Sequence, residues 1–339
     1  MSILVCGGAG YIGSHTCVEL LEAGYDIVVA DNLDNSSEES LRRVAKITGK
    51  QVPFIKAELC NEDEVEALFS QYPDIDAVIH FAGLKAVGES GAKPLEYYSN
   101  NLISTLYLLQ AMRRHGVKKF VFSSSATVYG DPATVPIRED FPTGGTTHPY
   151  GTSKLFQERI LSDICAADPA LNVALLRYFN PIGAHESGMI GEDPNGIPNN
   201  LVPYIAKVAV GQLEKVHVYG SDYPTPDGTG VRDYIHVVDL AKGHVAALKK
   251  LDTNCGLFVC NLGTGKGYSV LDVLHAYEKA CGHTLPYVIE SRRPGDIATC
   301  YADPTKARSE LGWEAKLGIE EMCASSWKWQ SVNPNGYKG

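Results

Sequence analysis

Three glycines near the start of the chain constrain its fold more than any other feature. Gly7, Gly10 and Gly13 follow a short apolar run at 3–5 and open a segment of helical character that begins at Tyr11. Glycine permits a tight turn here and lets a pyrophosphate approach the backbone N–H groups at a helix N-terminus. In this strand–turn–helix context the spacing predicts a dinucleotide site, and an ordinary glycine-rich turn is the alternative.

Short β-branched runs alternate with amphipathic stretches over the first half of the chain. This alternation predicts a parallel sheet covered by helices on both faces. The expected strands are 3–5, 27–30, 77–81, 120–122 and 173–176, and the expected helices are 11–23, 62–70, 95–115 and 150–166.

The alternation ends near residue 179, and the 339 residues exceed one typical domain. We therefore predict an α/β fold: a doubly wound, Rossmann-like parallel sheet with a smaller mixed α/β C-terminal substrate lobe. The expected division is residues 1–179 for the dinucleotide and the chemistry and residues 180–339 for the substrate, with some later segments returning to the first domain.

Composition narrows the class of protein. The formal net charge of -10 argues against nucleic-acid binding and requires a local cationic site for any phosphorylated substrate. The sequence contains no run of eighteen apolar residues, which argues against a membrane span. Its nine cysteines are placed singly, which favours free thiols in a reducing, cytoplasmic setting. The histidines and cysteines are dispersed and show no metal-ligand spacing, which argues against a metal site.

Asp31 lies at the end of the second predicted strand, eighteen positions beyond Gly13. A carboxylate at this point accepts hydrogen bonds from the adenosine ribose and repels a 2′-phosphate, which favours NAD over NADP. The segment 31–37 is also a natural loop, so a turn role for Asp31 is the alternative, and the two roles are compatible.

Tyr150 and Lys154 stand at i, i+4 directly after Pro149, which suits the first turn of a helix. Use of the phenol as a base near neutrality requires its pKa to fall by about 3 units, or about 4 kcal/mol. One positive charge at about 4 Å, with an effective dielectric of about 20, contributes about that much. Lys154 together with an oxidised nicotinamide would suffice. Taken alone, a Tyr and a Lys at this spacing more often form a surface pair than a catalytic one.

Serines end the predicted strand before this helix. The run 120–125 finishes at Ser125, at the sheet edge where doubly wound folds place ligands. A hydroxyl there can share a proton with Tyr150, although serine-rich turns are also common at strand ends.

Five longer segments extend these patterns over nearly the whole chain. Together they resemble the UDP-sugar 4-epimerases of the extended short-chain dehydrogenase/reductase family. The segments are HFAGLKAVGES at 80–90, SSSATVYG at 123–130, LLRYFNPIGAH at 175–185, GIPNNLVPYI at 196–205 and GVRDYIHVVDLA at 230–241.

The resemblance implies a reaction and its residues. Tyr150 would take the proton of the sugar 4-hydroxyl while hydride passes to tightly bound NAD, Lys154 would lower the pKa of Tyr150 and hold the nicotinamide ribose, and Ser125 would bond the reacting oxygen. A transient 4-keto sugar would turn over and accept hydride on its other face, which interconverts UDP-glucose and UDP-galactose.

The same resemblance implies two sets of contacts. The implied cofactor contacts are Gly7, Gly10, Tyr11, Ile12, Gly13, Asp31, Asn32, Asn35, Ser36, Glu58, Leu59, Phe81, Ala82, Lys85, Asn100, Tyr150, Lys154 and Phe179. The implied UDP-hexose contacts are Ser125, Asn180, Asn200, Leu201, Tyr219, Arg232, Arg293, Asp296 and Cys300.

Three residues depart from the family pattern. Cys6 replaces a common Thr, and Glu58 stands where Asp is frequent near the adenine. Cys300 stands where some relatives carry a bulky Tyr beside the sugar. A smaller residue leaves volume for a 2-acetamido group, so we also expect activity on UDP-GlcNAc and UDP-GalNAc.

Two alternative functions remain at this stage. A sugar-nucleotide 4,6-dehydratase needs an acid and a base after the fifth strand, where this chain has Ala126 and Thr127. A non-catalytic dinucleotide sensor would be expected to lack the Tyr or the Lys. The family also suggests a homodimer through the helices near 95–115 and 150–166.

Overall fold

The central sheet is built from short strands in the first 180 residues and one strand from later in the chain. The computed structural model describes residues 1–293 and 295–338. The strands are β1 Ser2–Cys6, β2 Asp26–Asp31, β3 Phe54–Lys56, β4 Ile75–His80, β5 Lys119–Ser125, β6 Asn172–Tyr178, β7 Asn180–Ile182, β8 Val216–Tyr219, β9 Val231–His236, β10 Leu257–Leu262, β11 Gly267–Ser269, β12 Tyr287–Glu290 and β13 Thr299–Cys300.

The helices connect and cover these strands. They are α1 Tyr11–Glu22, α2 Glu38–Thr48, α3 Glu62–Gln71, α4 Val87–Ala92, α5 Pro94–His115, α6 Pro149–Ala167, α7 Leu201–Ala209, α8 Val237–Leu251, α9 Val270–Cys281 and α10 Ile319–Val332, with a 3-10 helix at Ala126–Tyr129. Within the described residues, no helix is long and apolar enough to cross a membrane.

Seven parallel strands form the main sheet in the order β10-β6-β5-β4-β1-β2-β3. The order reverses direction between β1 and β4, because the chain builds outward from β1 through β3 and then resumes at β4. A crevice opens at the carboxyl ends of the strands at such a reversal, and ligands of doubly wound sheets bind there. The predicted fold class is confirmed.

Strand residues alternate between two cores. Ile3 and Val5 of β1 pack with α1, α2 and α8, whereas Leu4 and Cys6 pack on the other face with α3, α5 and α6. Both faces of β1 are buried, which explains why its sequence is continuously apolar from Ile3 to Cys6 rather than alternating.

Two small sheets follow the first 180 residues. β9 pairs with β7, β11 and β13, and β8 pairs with β12. A separate core, which includes Ile205, Val218 and Tyr277, joins α7, α9 and α10 to these strands. In contrast, β10 adds to the edge of the main sheet beside β6, and α8 packs on α1.

Candidate active site

The glycine turn after β1 meets the chain that leaves β4. Gly7 has φ +78°, and a Cβ placed on it would lie 2.6 Å from the Ala82 backbone N. The N–H groups of Phe81 and Ala82 both donate to the carbonyl oxygen of Cys6, at 2.8 and 3.1 Å. The two strand ends at the reversal point are therefore joined by their backbones, and side chains are excluded from the floor of the crevice.

The N-terminus of α1 opens onto this floor. Its N-cap is Gly10, which provides no side-chain cap for the first N–H groups of the helix. Such uncapped groups and the positive end of the helix dipole form an anion site. A Cβ on Gly13 would lie 2.7 Å from Gly8 Cα, so the helix packs directly against the turn. These features fit the pyrophosphate of a dinucleotide.

Asp31 organises the turn beside this floor. Its buried carboxylate accepts hydrogen bonds from Ala9 N at 3.0 Å, Leu33 N at 2.9 Å and Ser36 Oγ at 2.8 Å. The turn role is therefore present, and the ribose contact stays a prediction. Because Asp31 is bonded to the glycine loop itself, its carboxylate lies close to the helix N-terminus.

Several predicted cofactor contacts gather on the loops after β2 and β3. Asn32 Nδ2 donates to Glu58 Oε2 at 3.0 Å, and Leu59 is buried next to that carboxylate. Asn100, on α5, contacts the Cys60 thiol, with its side-chain amide nitrogen 3.7 Å from Sγ. Asn35 is bonded to Asn195 N at 3.1 Å.

The chain beyond β4 brings predicted residues from both halves together. The Phe81 ring lies 4.8 Å from that of His244 on α8. Lys85 Nζ lies 3.8 Å from Glu192 Oε1, which also accepts from Asn200 Nδ2 at 3.0 Å. Glu192 was not predicted, and it links a cofactor candidate, Lys85, to a substrate candidate, Asn200.

Tyr150 stands in the first turn of α6. Pro149 is the first helical residue and the His148 ring caps the helix by accepting from Gly151 N at 3.0 Å. Burial raises the pKa of the Tyr150 phenol, and a hydrogen bond with Ser125 lowers it in part. The Tyr150 phenol and the Ser125 hydroxyl are therefore near each other at the carboxyl end of β5.

Lys154 lies one turn further along the same face of α6. Its ammonium donates to the Ser123 carbonyl oxygen at 2.7 Å and stands 4.7 Å from the centre of the Phe122 ring. Burial lowers the pKa of Lys154 to about 7, although Glu158 raises it. The hydrogen bond that lowers the pKa of Tyr150 here comes from Ser125, so the predicted effect of Lys154 on that phenol stays a prediction.

The predicted sugar side faces these residues from the small sheet. Cys300 pairs in register with Arg232 across β13 and β9, and it packs in one apolar cluster with Phe179 and Ala126. Burial raises the pKa of the Cys300 thiol to about 11, while Arg232 lowers it. The small side chain at 300 is therefore part of the wall next to the end of β5.

The remaining substrate candidates surround two arginines. The Arg293 guanidinium lies 4.8 Å from the Tyr219 ring centre and donates to Asp296 Oδ2 at 2.9 Å. Arg232 and Arg293 both lower the pKa of Tyr234, which burial raises to about 12. Two cations from distant parts of the chain thus act on the same phenol, and guanidinium groups are suited to a diphosphate. Asn180 begins β7 beside β9 and Leu201 begins α7.

Sequence reasoning did not single out several polar side chains that adjoin the site. The Tyr178 hydroxyl contacts the Ser123 hydroxyl, and Glu158 forms a buried ion pair with Arg177. Glu158 continues the i, i+4 series of Tyr150 and Lys154, so the spacing itself was an available signal.

Known proteins resemble this chain along its whole length. The chain is similar to a UDP-glucose 4-epimerase from Bacillus subtilis (strain 168), 65% identical over 338 residues that cover 100% of this chain and 99% of the relative. The crystal structure of UDP-glucose 4-epimerase from Bifidobacterium longum in complex with NAD+ and UDP superposes with a TM-score of 0.96 at 64% identity, covering 99% and 100% of the two chains.

A second solved structure extends the likeness to a more distant sequence. UDP-glucose-4-epimerase from Stenotrophomonas maltophila, with bound NAD and formylated UDP-arabinopyranose, has a TM-score of 0.96 at 48% identity over 98% of this chain and 99% of that one. The sequence profile of the NAD dependent epimerase/dehydratase family matches residues 3–263, which include the glycine turn, Tyr150 and Lys154. The strand reversal, the uncapped helix and this match agree, and the chain belongs to the NAD dependent epimerase/dehydratase family.

Proposed function

We propose that the chain catalyses the reversible epimerisation at C4 of UDP-glucose and UDP-galactose with tightly bound NAD. The observation that carries the proposal is the grouping of three side chains at the carboxyl end of β5. Tyr150 and Lys154 lie one turn apart on α6, Lys154 donates to the Ser123 carbonyl oxygen, and Ser125 lowers the pKa of the Tyr150 phenol. This arrangement occurs in a chain 65% identical over its full length to a UDP-glucose 4-epimerase. The Rossmann-like crevice supplies a place for NAD beside these three side chains.

Each side chain has a definite task in this reaction. NAD, when bound, supplies an acceptor and donor of hydride at C4 of the sugar. Tyr150 removes the 4-hydroxyl proton and later returns it, and Ser125 holds the same oxygen. Burial disfavours the phenolate and Ser125 favours it. The base form therefore also needs positive charge nearby, and we assign that part to Lys154 and the oxidised nicotinamide.

We propose that the predicted site residues divide between two ligands. Residues 1–179 supply most cofactor contacts, through the uncapped α1 N-terminus, Asp31 and the strand ends, while residues 180–339 supply the sugar-nucleotide contacts, through Arg232 and Arg293. Support comes from the common effect of the two arginines on the Tyr234 pKa and from the Lys85–Glu192–Asn200 contacts that join the halves. Titration of the purified chain with UDP, in wild type and Arg293→Ala, tests the second assignment.

The function is tested by Tyr150→Phe. We expect turnover of UDP-galactose to UDP-glucose to fall by about 10²- to 10⁴-fold, the usual contribution of a positioned acid–base group, with NAD retained. Tyr72→Phe, at the end of α3 and away from the crevice, is the matched control and should keep full activity. Turnover by Tyr150→Phe at the control rate would contradict the proposal. A wild-type chain that holds NAD without converting UDP-galactose would favour a dinucleotide sensor.

We also propose activity on UDP-GlcNAc and UDP-GalNAc. The supporting observation is that Cys300, buried beside Phe179 and Ala126, leaves volume at the sugar wall that a Tyr would fill. Cys300→Tyr should lose activity on the acetamido sugars and keep it on UDP-glucose. Equal GlcNAc activity in the two proteins would count against a role of this position in sugar choice.

We propose that the chain forms a homodimer through α5 and α6. Leu106 and Phe156 on these helices expose 36% and 47% of their surface, and the Phe156 ring stacks on Tyr98 at 6.0 Å. Two copies of this apolar surface would make a four-helix contact. Phe156→Glu should convert a dimer into a monomer in size-exclusion chromatography with light scattering, and a monomeric wild type would refute the proposal.

A further inference from the structure

A buried ion pair lies directly behind the candidate catalytic residues. Arg177 on β6 contacts the Glu158 carboxylate through Nε at 2.9 Å and through Nη2 at 2.7 Å. Ser124 Oγ donates to the same carboxylate at 2.5 Å. Glu158 and Arg177 are 4% and 6% exposed, so the pair is shielded from solvent and from salt.

The pair is held from both sides by adjacent strands. Ser124, Arg177 and Asn261 are register neighbours on β5, β6 and β10. The other arm of Arg177, Nη1, donates to the Tyr129 hydroxyl at 3.0 Å, which donates to Asn261 Oδ1 at 2.7 Å. The partners of the pair come from three strands and a 3-10 helix, and this network fixes the position of the Glu158 carboxylate.

Glu158 lies on the same face of α6 as the catalytic candidates. Tyr150, Lys154 and Glu158 are spaced by four residues each, so they form one row along the helix face that covers the end of β5. The end of β5 meets this row: the Ser123 carbonyl oxygen accepts from Lys154, the Ser124 hydroxyl donates to Glu158, and Ser125 lowers the pKa of the Tyr150 phenol.

Few charged groups surround the Lys154 ammonium. Its contacts on β5 are a neutral carbonyl and the Phe122 ring. β4 contributes His80, whose pKa burial lowers to about 3, with Lys154 adding to the fall, so this ring is neutral near pH 7. On β6, the Tyr178 phenol has its pKa raised by burial and is also neutral there.

Neutral groups face α6 from α5. Asn101 Nδ2 donates to Ser153 Oγ at 2.9 Å, and Gln157 Nε2 donates to Thr105 Oγ1 at 2.7 Å. Within the described residues, the carboxylate of Glu158 is therefore the anion placed to act on Lys154, and it alone raises the pKa of Lys154 against the effect of burial.

We propose, on the basis of the function proposed above, that Glu158 is a positioning residue that keeps the Lys154 ammonium protonated and directed at the end of β5. Arg177 and Ser124 hold the Glu158 carboxylate in place. A carboxylate one helical turn behind a buried ammonium favours its charged form, and the charged form is the one that can act on Tyr150 and on a cofactor hydroxyl. The Glu158–Arg177 pair thus acts on the reaction through Lys154, without touching the substrate.

The experiment compares pH profiles of the NAD-bound protein with UDP-galactose. In Glu158→Gln, Lys154 should lose its proton at lower pH, so the alkaline limb of kcat should move down by about one unit or more, which is about a tenfold loss above that limb. KM should change by less than about threefold, because no substrate contact is removed. Glu158→Asp, which keeps the charge, should restore most of the limb.

A second variant separates this role from a structural one. Glu158→Leu combined with Arg177→Met removes both charges and leaves neither unpaired, so its melting temperature should stay near that of wild type. We expect the alkaline limb of kcat in this double variant to lie at the same lowered pH as in Glu158→Gln. A wild-type limb in this double variant, or a loss in Glu158→Gln that is uniform in pH and follows the melting temperature, would overturn the proposal.

NAD affinity provides a readout that does not need turnover. Loss of the Lys154 proton should weaken NAD binding. The pH at which NAD affinity declines should therefore fall in Glu158→Gln and in the double variant, by the same amount as the alkaline limb of kcat. A wild type that fails to convert UDP-galactose refutes the proposed function, while an unchanged affinity profile in the variants refutes the role of Glu158.

Discussion

Alanine substitutions at Gly13 and Gly10 test how the turn after β1 works, because the two positions differ in one respect. A Cβ on Gly13 would contact the Gly7 carbonyl and lie 2.7 Å from Gly8 Cα, so backbone must move. A Cβ on Gly10 meets just the Gly7 carbonyl oxygen, at 3.3 Å. Overpacking of this kind costs about 1–3 kcal/mol, and at Gly13 the clash involves backbone atoms that cannot rotate away.

The two variants should therefore separate stability from cofactor binding. Gly13→Ala should lose about 2–3 kcal/mol of unfolding free energy, since the helix separates from the turn, and should also bind NAD at least about tenfold more weakly. Gly10→Ala should unfold within about 0.5 kcal/mol of wild type, yet lose a similar factor in NAD affinity, because its Cβ would stand at the uncapped helix N-terminus where the pyrophosphate is proposed.

Urea unfolding of the cofactor-free proteins and titration with NAD measure the two quantities. A Gly13→Ala protein as stable as wild type would refute the close-packing argument. Undiminished NAD affinity in Gly10→Ala would place the pyrophosphate elsewhere in the crevice.

Three further substitutions test charges in the site. Arg232→Ala should raise KM for UDP-galactose about 10- to 100-fold through loss of a charged hydrogen bond, while the exposed Arg159→Ala should not, as steady-state kinetics will show. Ser125→Ala removes the hydrogen bond that lowers the pKa of Tyr150, so the acid limb of kcat should move to higher pH; an unmoved limb would contradict the contact. Burial lowers the pKa of Lys154 from 10.5 in the unfolded chain to about 7 in the folded one. Between pH 7 and pH 10.5 the unfolded chain therefore binds more protons at this residue than the folded chain, so the free energy of unfolding rises with pH. Lys154→Met should thus be more stable than wild type at pH 7, by at most about 5 kcal/mol, with a gain that disappears near pH 10 in thermal unfolding.

Most of the main sheet was readable from residue patterns, and the exceptions have physical causes. The predicted strand at 27–30 and helix at 95–115 match β2 and α5 within a residue or so. The strand β3 was not predicted, because it has three residues and a partly exposed end. β10 resembles any apolar run, and its place beside β6 follows from packing across 80 residues of intervening chain, which local patterns do not encode.

The candidate site shows the same division. The glycine spacing, Asp31 and the Tyr150–Lys154 interval are local, since each depends on backbone conformation or helix periodicity, and they pointed to the crevice. In contrast, the register of Cys300 against Arg232, and the effect of both Arg232 and Arg293 on Tyr234, depend on how the small sheet forms.

The sequence by itself determined which chemical groups are available and on which element each one lies, because strand and helix periods are set by the backbone. Tertiary structure alone decided their protonation. Burial acts against the charges of Tyr150 and Lys154, and the anion that offsets this for Lys154 is held by Arg177 from a neighbouring strand. Desolvation and Coulomb interactions depend on distances in space, and those exist once the sheet and α6 have packed together.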